Sequence, residues 1–204
     1  MKNSIKNMVL ETMEGLYKTG TVDEINTTQI YLEKEITYSI LNIKVLKNWC
    51  TPLLKSSNPF KEDSYNLLVV LGESVSSSLI SSLYNIFTNS DEVSLWRLIN
   101  QVNEISKISK KEDYIERIKE IREGLNPLRN IARAHNIPWR KDQNIKIPLS
   151  KLEEWLSFAE NTYKEMVKKL GMSYPLNGLV PEEFDKQIIR NINLIYKDKH
   201  ECKG

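Results

Sequence analysis

The chain has 204 residues, of which 40% are hydrophobic and 27% charged, and its formal net charge is +2. This balance is typical of a globular protein with one substantial core, and it excludes a disordered chain. The small net charge also excludes a strongly basic nucleic-acid coat, so any contact with RNA or DNA must come from a local patch.

Long amphipathic segments separated by short breaks predict helices in the first half of the chain. The first helix is expected over roughly residues 3–18, and a long second helix from Thr21 to the break at Thr51-Pro52. A third helix is expected after Pro59 and as far as about Phe87. Its apolar positions recur at helical spacing at Tyr65, Leu68, Gly72, Val75, Leu79, Leu83 and Ile86.

The middle of the chain predicts three shorter helices. One carries Val93, Trp96, Ile99 and Val102, and the next carries Tyr114, Ile115, Ile118 and Ile121. The second of these is expected to loosen at Gly124. Asn126 and Pro127 then have the pattern of an N-cap followed by proline at the first helical position, which predicts a separate helix to about His135.

The last third of the chain predicts two more helices. Ser150 and Glu153 have the spacing of a capping box, and the helix they open is expected to end at Gly171. A final helix is predicted over residues 181–198, followed by a tail over 199–204 that is expected to fray. Three tryptophans fit apolar seams and are expected in the core: Trp49, Trp96 and Trp155.

These elements predict one all-α domain over residues 1–204, a bundle of about six to seven helices with its core over about 20–170. No helix–strand alternation and no internal repeat is evident.

Several kinds of chemistry are excluded by residue usage. The chain has two cysteines and two histidines, and they lack metal-ligand spacing, so we expect no metal site. It has no phosphate-loop motif and no dinucleotide-binding motif, so we expect no cofactor. The N-terminal stretch lacks the continuous apolar run of a signal peptide, and no segment approaches the length of a membrane span. We therefore expect a reduced, cytoplasmic protein that does not contact membranes.

The segment 126–138, NPLRNIARAHNIP, carries the candidate site. Arg129 and His135 are six residues apart, so in a helix they lie roughly 120° apart around the axis and about 9 Å along it. A second copy of the helix would therefore complete a tight site more easily than one copy alone. The alternative is that His135 ends a buried stripe that begins at Leu128 and is only a core residue.

An arginine, an amide and a histidine have the functional groups for RNA cleavage without a metal. The ribose 2′-OH is itself the nucleophile, so the protein must move protons and stabilise charge. Histidine exchanges protons near neutral pH, and arginine binds phosphate oxygens in a bidentate fork. Asn130 adds an amide donor and acceptor beside Arg129.

The stretch RNIARAH, residues 129–135, resembles the motif of HEPN (higher eukaryotes and prokaryotes nucleotide-binding) domains. The resemblance is closest to the AbiU-type abortive-infection branch, in which a segment like residues 77–99 precedes an LRN…AH segment like residues 128–135. A charged amphipathic helix like that of residues 111–123 separates the two. The similarity covers roughly residues 20–170.

The resemblance implies a HEPN-like bundle and an endoribonuclease of a toxin–antitoxin or antiphage system. It assigns Arg129 to the scissile phosphate, His135 to proton transfer or transition-state stabilisation, and Asn130 to support of the site. It implies a homodimer formed through the motif helix, with RNA as substrate, and it allows an antitoxin protein as a further partner.

Three further residues of this region are candidates for contact with RNA. Arg133 and Arg140 add positive charge, and Trp139 either packs on the domain or stacks on a ligand. Some HEPN domains lack catalysis, so the alternative function is a helical module that binds RNA or a protein partner through the same groove.

Overall fold

The structure of the protein is a computed structural model that describes residues 21–50, 62–89, 93–133 and 147–172. These ranges contain five α-helices, one π-helical segment and no β-strand. The helices are α1 (Thr21–Val45), which continues into the π-helical segment Leu46–Cys50, α2 (Glu62–Ile86), α3 (Leu95–Ile105), α4 (Lys111–Arg133) and α5 (Leu149–Lys169). The predicted all-α fold is confirmed. The helices predicted over 3–18 and 181–198 and the tail 199–204 lie outside the described residues.

The helices pack around one apolar core. The most extensive contact joins α1 to α2, and α2 also packs against α4, while α5 packs against α1 and α3. Apolar side chains with no exposed surface come from all five helices and from the residue after α2: Leu32, Ile36, Leu79, Leu83, Phe87, Leu98, Ile99, Ile118, Leu125 and Tyr163. Trp155 is buried as predicted, and Trp96 is half-buried against the core. The side chain of Trp49 is outside the described set.

The start of α5 differs from the prediction, and its end agrees with it. The predicted capping box at Ser150 and Glu153 is wrong, because α5 begins at Leu149 with Pro148 at the N-cap and no side-chain cap bond. The Glu153 carboxylate instead pairs with Lys47 Nζ at 2.8 Å. At the other end, Gly171 has a φ of 70° and closes the helix as predicted. The Gly171 and Met172 N–H groups donate to the carbonyls of residues 168 and 167, the pattern of a Schellman motif.

The predicted break in α4 is also wrong. Asn126 and Pro127 lie inside one continuous helix, Lys111–Arg133, rather than at the start of a new one. Pro127 lacks an N–H group and leaves the carbonyl four residues earlier without its helical donor, at a cost of about 3 kcal/mol. On either side of it, Leu125 and Leu128 are buried, and each buried leucine contributes about 1.5–3 kcal/mol. The burial of both leucines offsets the proline, which is itself exposed.

Three contacts fix α4 against α5, and the first is the ion pair between Arg117 and Glu154. The Tyr114 hydroxyl donates a 2.6 Å hydrogen bond to Glu165 Oε2; burial and then this bond raise the pKa of Tyr114 to about 12, so the phenol stays a donor at neutral pH. Gly124 lies under the ring of Trp155. A Cβ at position 124 would be 2.9 Å from the Trp155 Cη2 atom, too close for a normal contact.

We predict that Gly124→Ala lowers the free energy of unfolding. Alanine favours a helix by about 1 kcal/mol over glycine, but the new methyl group would collide with the ring of Trp155, which is 5% exposed and cannot turn aside freely. Overpacking of this kind costs about 1–3 kcal/mol, so the net effect is a loss. Urea denaturation monitored by circular dichroism measures it.

The matched control is Asn126→Ala, at an exposed position of the same helix. It should leave stability unchanged or raise it, since alanine is the better helix former. A Gly124→Ala protein as stable as this control would contradict the close approach of the indole.

Candidate functional site

Arg129 lies near the C-terminal end of α4, and its guanidinium covers an aromatic ring of α2. Its Cζ atom is 3.7 Å from the centroid of the Tyr84 ring. A guanidinium in the plane of the ring could not come this close to the centroid, because it would collide with the atoms at the ring edge. The guanidinium therefore lies over the face of the tyrosine. This is a cation–π contact, and it joins the motif segment to the last full turn of α2.

The guanidinium has no counter-ion among the described residues. Other arginines of the bundle are paired: Arg97 with Glu24, and Arg117 with Glu120 and Glu154. No described carboxylate forms such a pair with Arg129.

Charged residues are unevenly distributed along the two helices that meet at Arg129. On the α2 side, residues 74–90 contain no charged residue. On the α4 side, the described residues 124–133 contain two arginines and no acid, although the first half of α4 mixes both signs. The last three turns of α4, residues 124–133, therefore carry positive charge and no acid in their own sequence, which favours the approach of an anion.

A second arginine lies on the same side of α4. Arg122 precedes Arg129 by seven residues, about 700° of rotation, which is only about 20° short of two full turns. The Arg122 Nε atom is buried and has no hydrogen-bond partner in the described ranges. By helical register, position 133 also falls on this side, four residues beyond Arg129. We define the arginine row as these three helix positions, 122, 129 and 133.

The other predicted site residues divide between described and undescribed parts of the chain. Asn130 is exposed on α4 next to Arg129. Arg133 is the last described residue of the helix, and its side chain is outside the described set. His135, Trp139 and Arg140 lie outside the described residues, so the predicted meeting of Arg129 with His135 stays a prediction.

Tyr84 is the site residue that the sequence analysis did not identify. It adjoins the predicted apolar seam at Leu83, and it lies within the segment 77–99 that carries part of the resemblance. The residues near Tyr84 in sequence do not indicate the contact, because Arg129 is 45 positions further along the chain. The one indication in the sequence is that Tyr84 is a large aromatic residue next to the predicted apolar positions of α2 and not one of them.

The described site can bind an anion but does not by itself provide a proton-transfer group. A stacked guanidinium presents planar N–H donors that match two oxygens of a phosphate. The exposed Asn130 amide can add one donor and one acceptor. The predicted proton-transfer group, His135, lies outside the described residues.

The described residues contain no group of three or more His, Cys, Asp or Glu side chains able to hold a metal ion. Among the helices in these ranges, none has the length and apolarity needed to cross a membrane. No family model, curated protein or solved structure matches the chain.

We predict that Arg129→Ala lowers the free energy of unfolding by about 0.5–2 kcal/mol, because it removes the cation–π contact with Tyr84. Asn130→Ala, one position further on and exposed, should leave stability unchanged within a few tenths of a kcal/mol. Thermal and urea denaturation of the two variants measure the difference. Equal stability of the two would mean that the stacking contributes nothing to the fold.

Proposed function

We propose that the protein is a metal-independent endoribonuclease of the HEPN type. Arg129 binds the scissile phosphate, Asn130 supports the bound strand and His135 transfers protons. The observation that carries the proposal is the Arg129 guanidinium, held on Tyr84 and without a carboxylate partner in the described part of the chain. The resemblance of residues 129–135 to the HEPN motif supplies the reaction class.

In the proposed reaction the 2′-oxygen attacks the adjacent phosphorus. A new O2′–P bond forms and the P–O5′ bond breaks, which leaves a 2′,3′-cyclic phosphate and a 5′-hydroxyl. One proton leaves the 2′-OH and one is delivered to the departing 5′-oxygen, and His135 serves one of these transfers. Arg129 stabilises the extra negative charge on the phosphorane oxygens, which is the part of the barrier that a fixed cation lowers most.

The biological setting that goes with this activity is an abortive-infection or toxin–antitoxin system, as in the AbiU-type proteins that the motif resembles. We propose a homodimer in which two motif helices face one cleft, so that each active site receives groups from both chains. An antitoxin protein that covers this cleft would restrain the enzyme. The RNA substrate and any such protein are the proposed partners.

A non-catalytic RNA-binding module is the second candidate. The arginine row favours it, because guanidiniums along one side of a helix bind phosphates in series whether or not a bond is cut. Binding through this row would need Arg129 and not His135. Substitution of His135 therefore distinguishes the two candidate functions, because it should abolish cleavage but not binding.

We predict that the purified protein cleaves single-stranded RNA in the presence of EDTA. His135→Ala should lower kcat/KM by about 10²–10⁴-fold, since a general acid or base is lost, and Arg129→Ala by about 10²–10³-fold, since a charge-stabilising donor is lost. The products should carry the cyclic phosphate, which mass spectrometry identifies. A 2′-deoxy strand of the same sequence should not be cut.

Two variants serve as matched controls. His200→Ala removes the only other histidine of the chain, and Lys110→Ala removes one exposed positive charge just before the first residue of α4, 19 residues before Arg129. Both should retain wild-type cleavage. Wild-type activity in His135→Ala would remove the enzyme proposal, and RNA binding weakened by Arg129→Ala without any cleavage would establish the binding module instead.

We further predict that the inactive Arg129→Ala and His135→Ala proteins complement each other when mixed. If one site takes its arginine from one chain and its histidine from the other, half of the dimers are mixed and one of their two sites is intact. Activity should then return to about a quarter of wild type, given random exchange of subunits with two sites per dimer. A mixture as inactive as its components would place both groups of a site on the same chain.

A further inference from the structure

Arginine side chains on a helix surface are mobile, and the contact with Tyr84 removes that mobility from Arg129. An unrestrained arginine samples many rotamers, and fixing one costs about 2 kcal/mol of conformational entropy. With the Cζ atom 3.7 Å from the Tyr84 centroid, this cost is met when the protein folds. A ligand that binds the guanidinium then need not order it.

Tyr84 is well suited to hold another group still. The residue is only 9% exposed, and the neighbouring Leu83, Ile86 and Phe87 have no exposed surface. The position of the ring is therefore set by the core at the end of α2, and not by the arginine that lies on it.

Two other cation–π pairs of the bundle lack this combination. Lys34 lies 5.7 Å from the ring centroid of Tyr38, which is 47% exposed, and Lys119 lies 5.7 Å from that of Trp96. In both pairs the ammonium nitrogen of a lysine lies farther from the ring than the guanidinium carbon of Arg129 does. The Arg129 guanidinium is planar and is in direct contact with the ring of a buried tyrosine. Only the Arg129 pair among these three fixes the orientation of its cation.

A guanidinium lying on a ring directs its N–H bonds outward along its own plane. No described carboxylate accepts them, and the uncharged residues 74–90 offer no built-in anion. We infer that Tyr84 is a positioning residue, which presents the N–H edge of Arg129 to a phosphate of a single RNA strand. The inference rests on the proposed function and adds to it a residue from a second helix.

The consequence is a coupling between two side chains in the recognition of RNA. Loss of the Tyr84 ring leaves the charge of Arg129 in place but frees its orientation, so phosphate binding weakens. Loss of Arg129 removes the group that Tyr84 positions, so Tyr84 should then no longer matter for the ligand. The tyrosine hydroxyl has no part in this, and phenylalanine should replace it.

A double-mutant cycle on RNA binding tests the coupling. The probe is a fluorescent single-stranded oligonucleotide with 2′-O-methyl groups, which cannot be cleaved by attack of the 2′-oxygen. Tyr84→Leu and Arg129→Ala should each weaken Kd by about three- to tenfold, and the double variant should bind no more weakly than Arg129→Ala alone. Tyr84→Phe should bind as the wild type does.

Cleavage of unmodified RNA provides a second readout that a merely structural role of Tyr84 would not give. Tyr84→Leu should lower kcat more than it raises KM, because the orientation of Arg129 matters most for the charge of the transition state. Tyr84→Met, which keeps most of the volume but has no ring face, should behave as Tyr84→Leu and replaces it if the leucine variant does not fold. Tyr38→Leu removes an exposed cation–π pair and is the control, with wild-type binding and cleavage expected.

The outcomes separate this inference from the proposed function. RNA cleavage that depends on Arg129 and His135 but is unchanged in folded Tyr84→Leu and Tyr84→Met proteins overturns the positioning role and leaves the enzyme in place. Additive losses in the double variant overturn it as well. Binding and cleavage that do not depend on Arg129 overturn both proposals, because there is then nothing for Tyr84 to position.

Discussion

The burial of one apolar stripe along α4 determines where the candidate site can be. Ile118, Ile121, Leu125 and Leu128 face the core over three turns of the helix, and this burial carries the helix past a glycine and a proline. A break at Pro127 would have let the following residues turn in a new direction. Because the helix continues, Arg129 emerges beside α2 and meets the ring of Tyr84. The geometry of the guanidinium is thus a consequence of core packing next to it.

The two borders of this stripe have different chemistry. Towards α5, α4 is held by a phenol–carboxylate hydrogen bond, an ion pair from Arg117 and the close approach of Trp155 to Gly124. Towards α2, residues 74–89 are uncharged and Arg129 has no carboxylate partner among the described residues. On the first border, described carboxylates neutralise the Arg117 guanidinium, whereas on the second no described carboxylate pairs with Arg129. Such separation of charge favours anion binding without a large net charge, which agrees with the +2 of the whole chain.

Local periodicity was sufficient to predict much of the fold. The long helices α1 and α2 and the end of α5 at Gly171 were expected from apolar spacing and glycine, since each depends on residues close in sequence. The errors arose where distant residues decide. Asn126-Pro127 has every local sign of a helix start, yet buried leucines on both sides override it. Glu153 has the spacing of a capping residue, but its carboxylate pairs with Lys47, which is 106 positions away.

The candidate site divides in the same way. Arg129, Asn130 and His135 could be selected from one short segment, because the motif is contiguous in sequence. Tyr84 could not, because none of the residues near it in sequence indicates that a guanidinium will lie on its ring.

The contact between Gly124 and Trp155 also joins residues that are distant in sequence, and it bears on how this protein can change over evolution. A side chain at position 124 requires a smaller one at position 155, so among related sequences the two positions should co-vary: glycine wherever the indole is kept, and larger residues only where the indole has been lost.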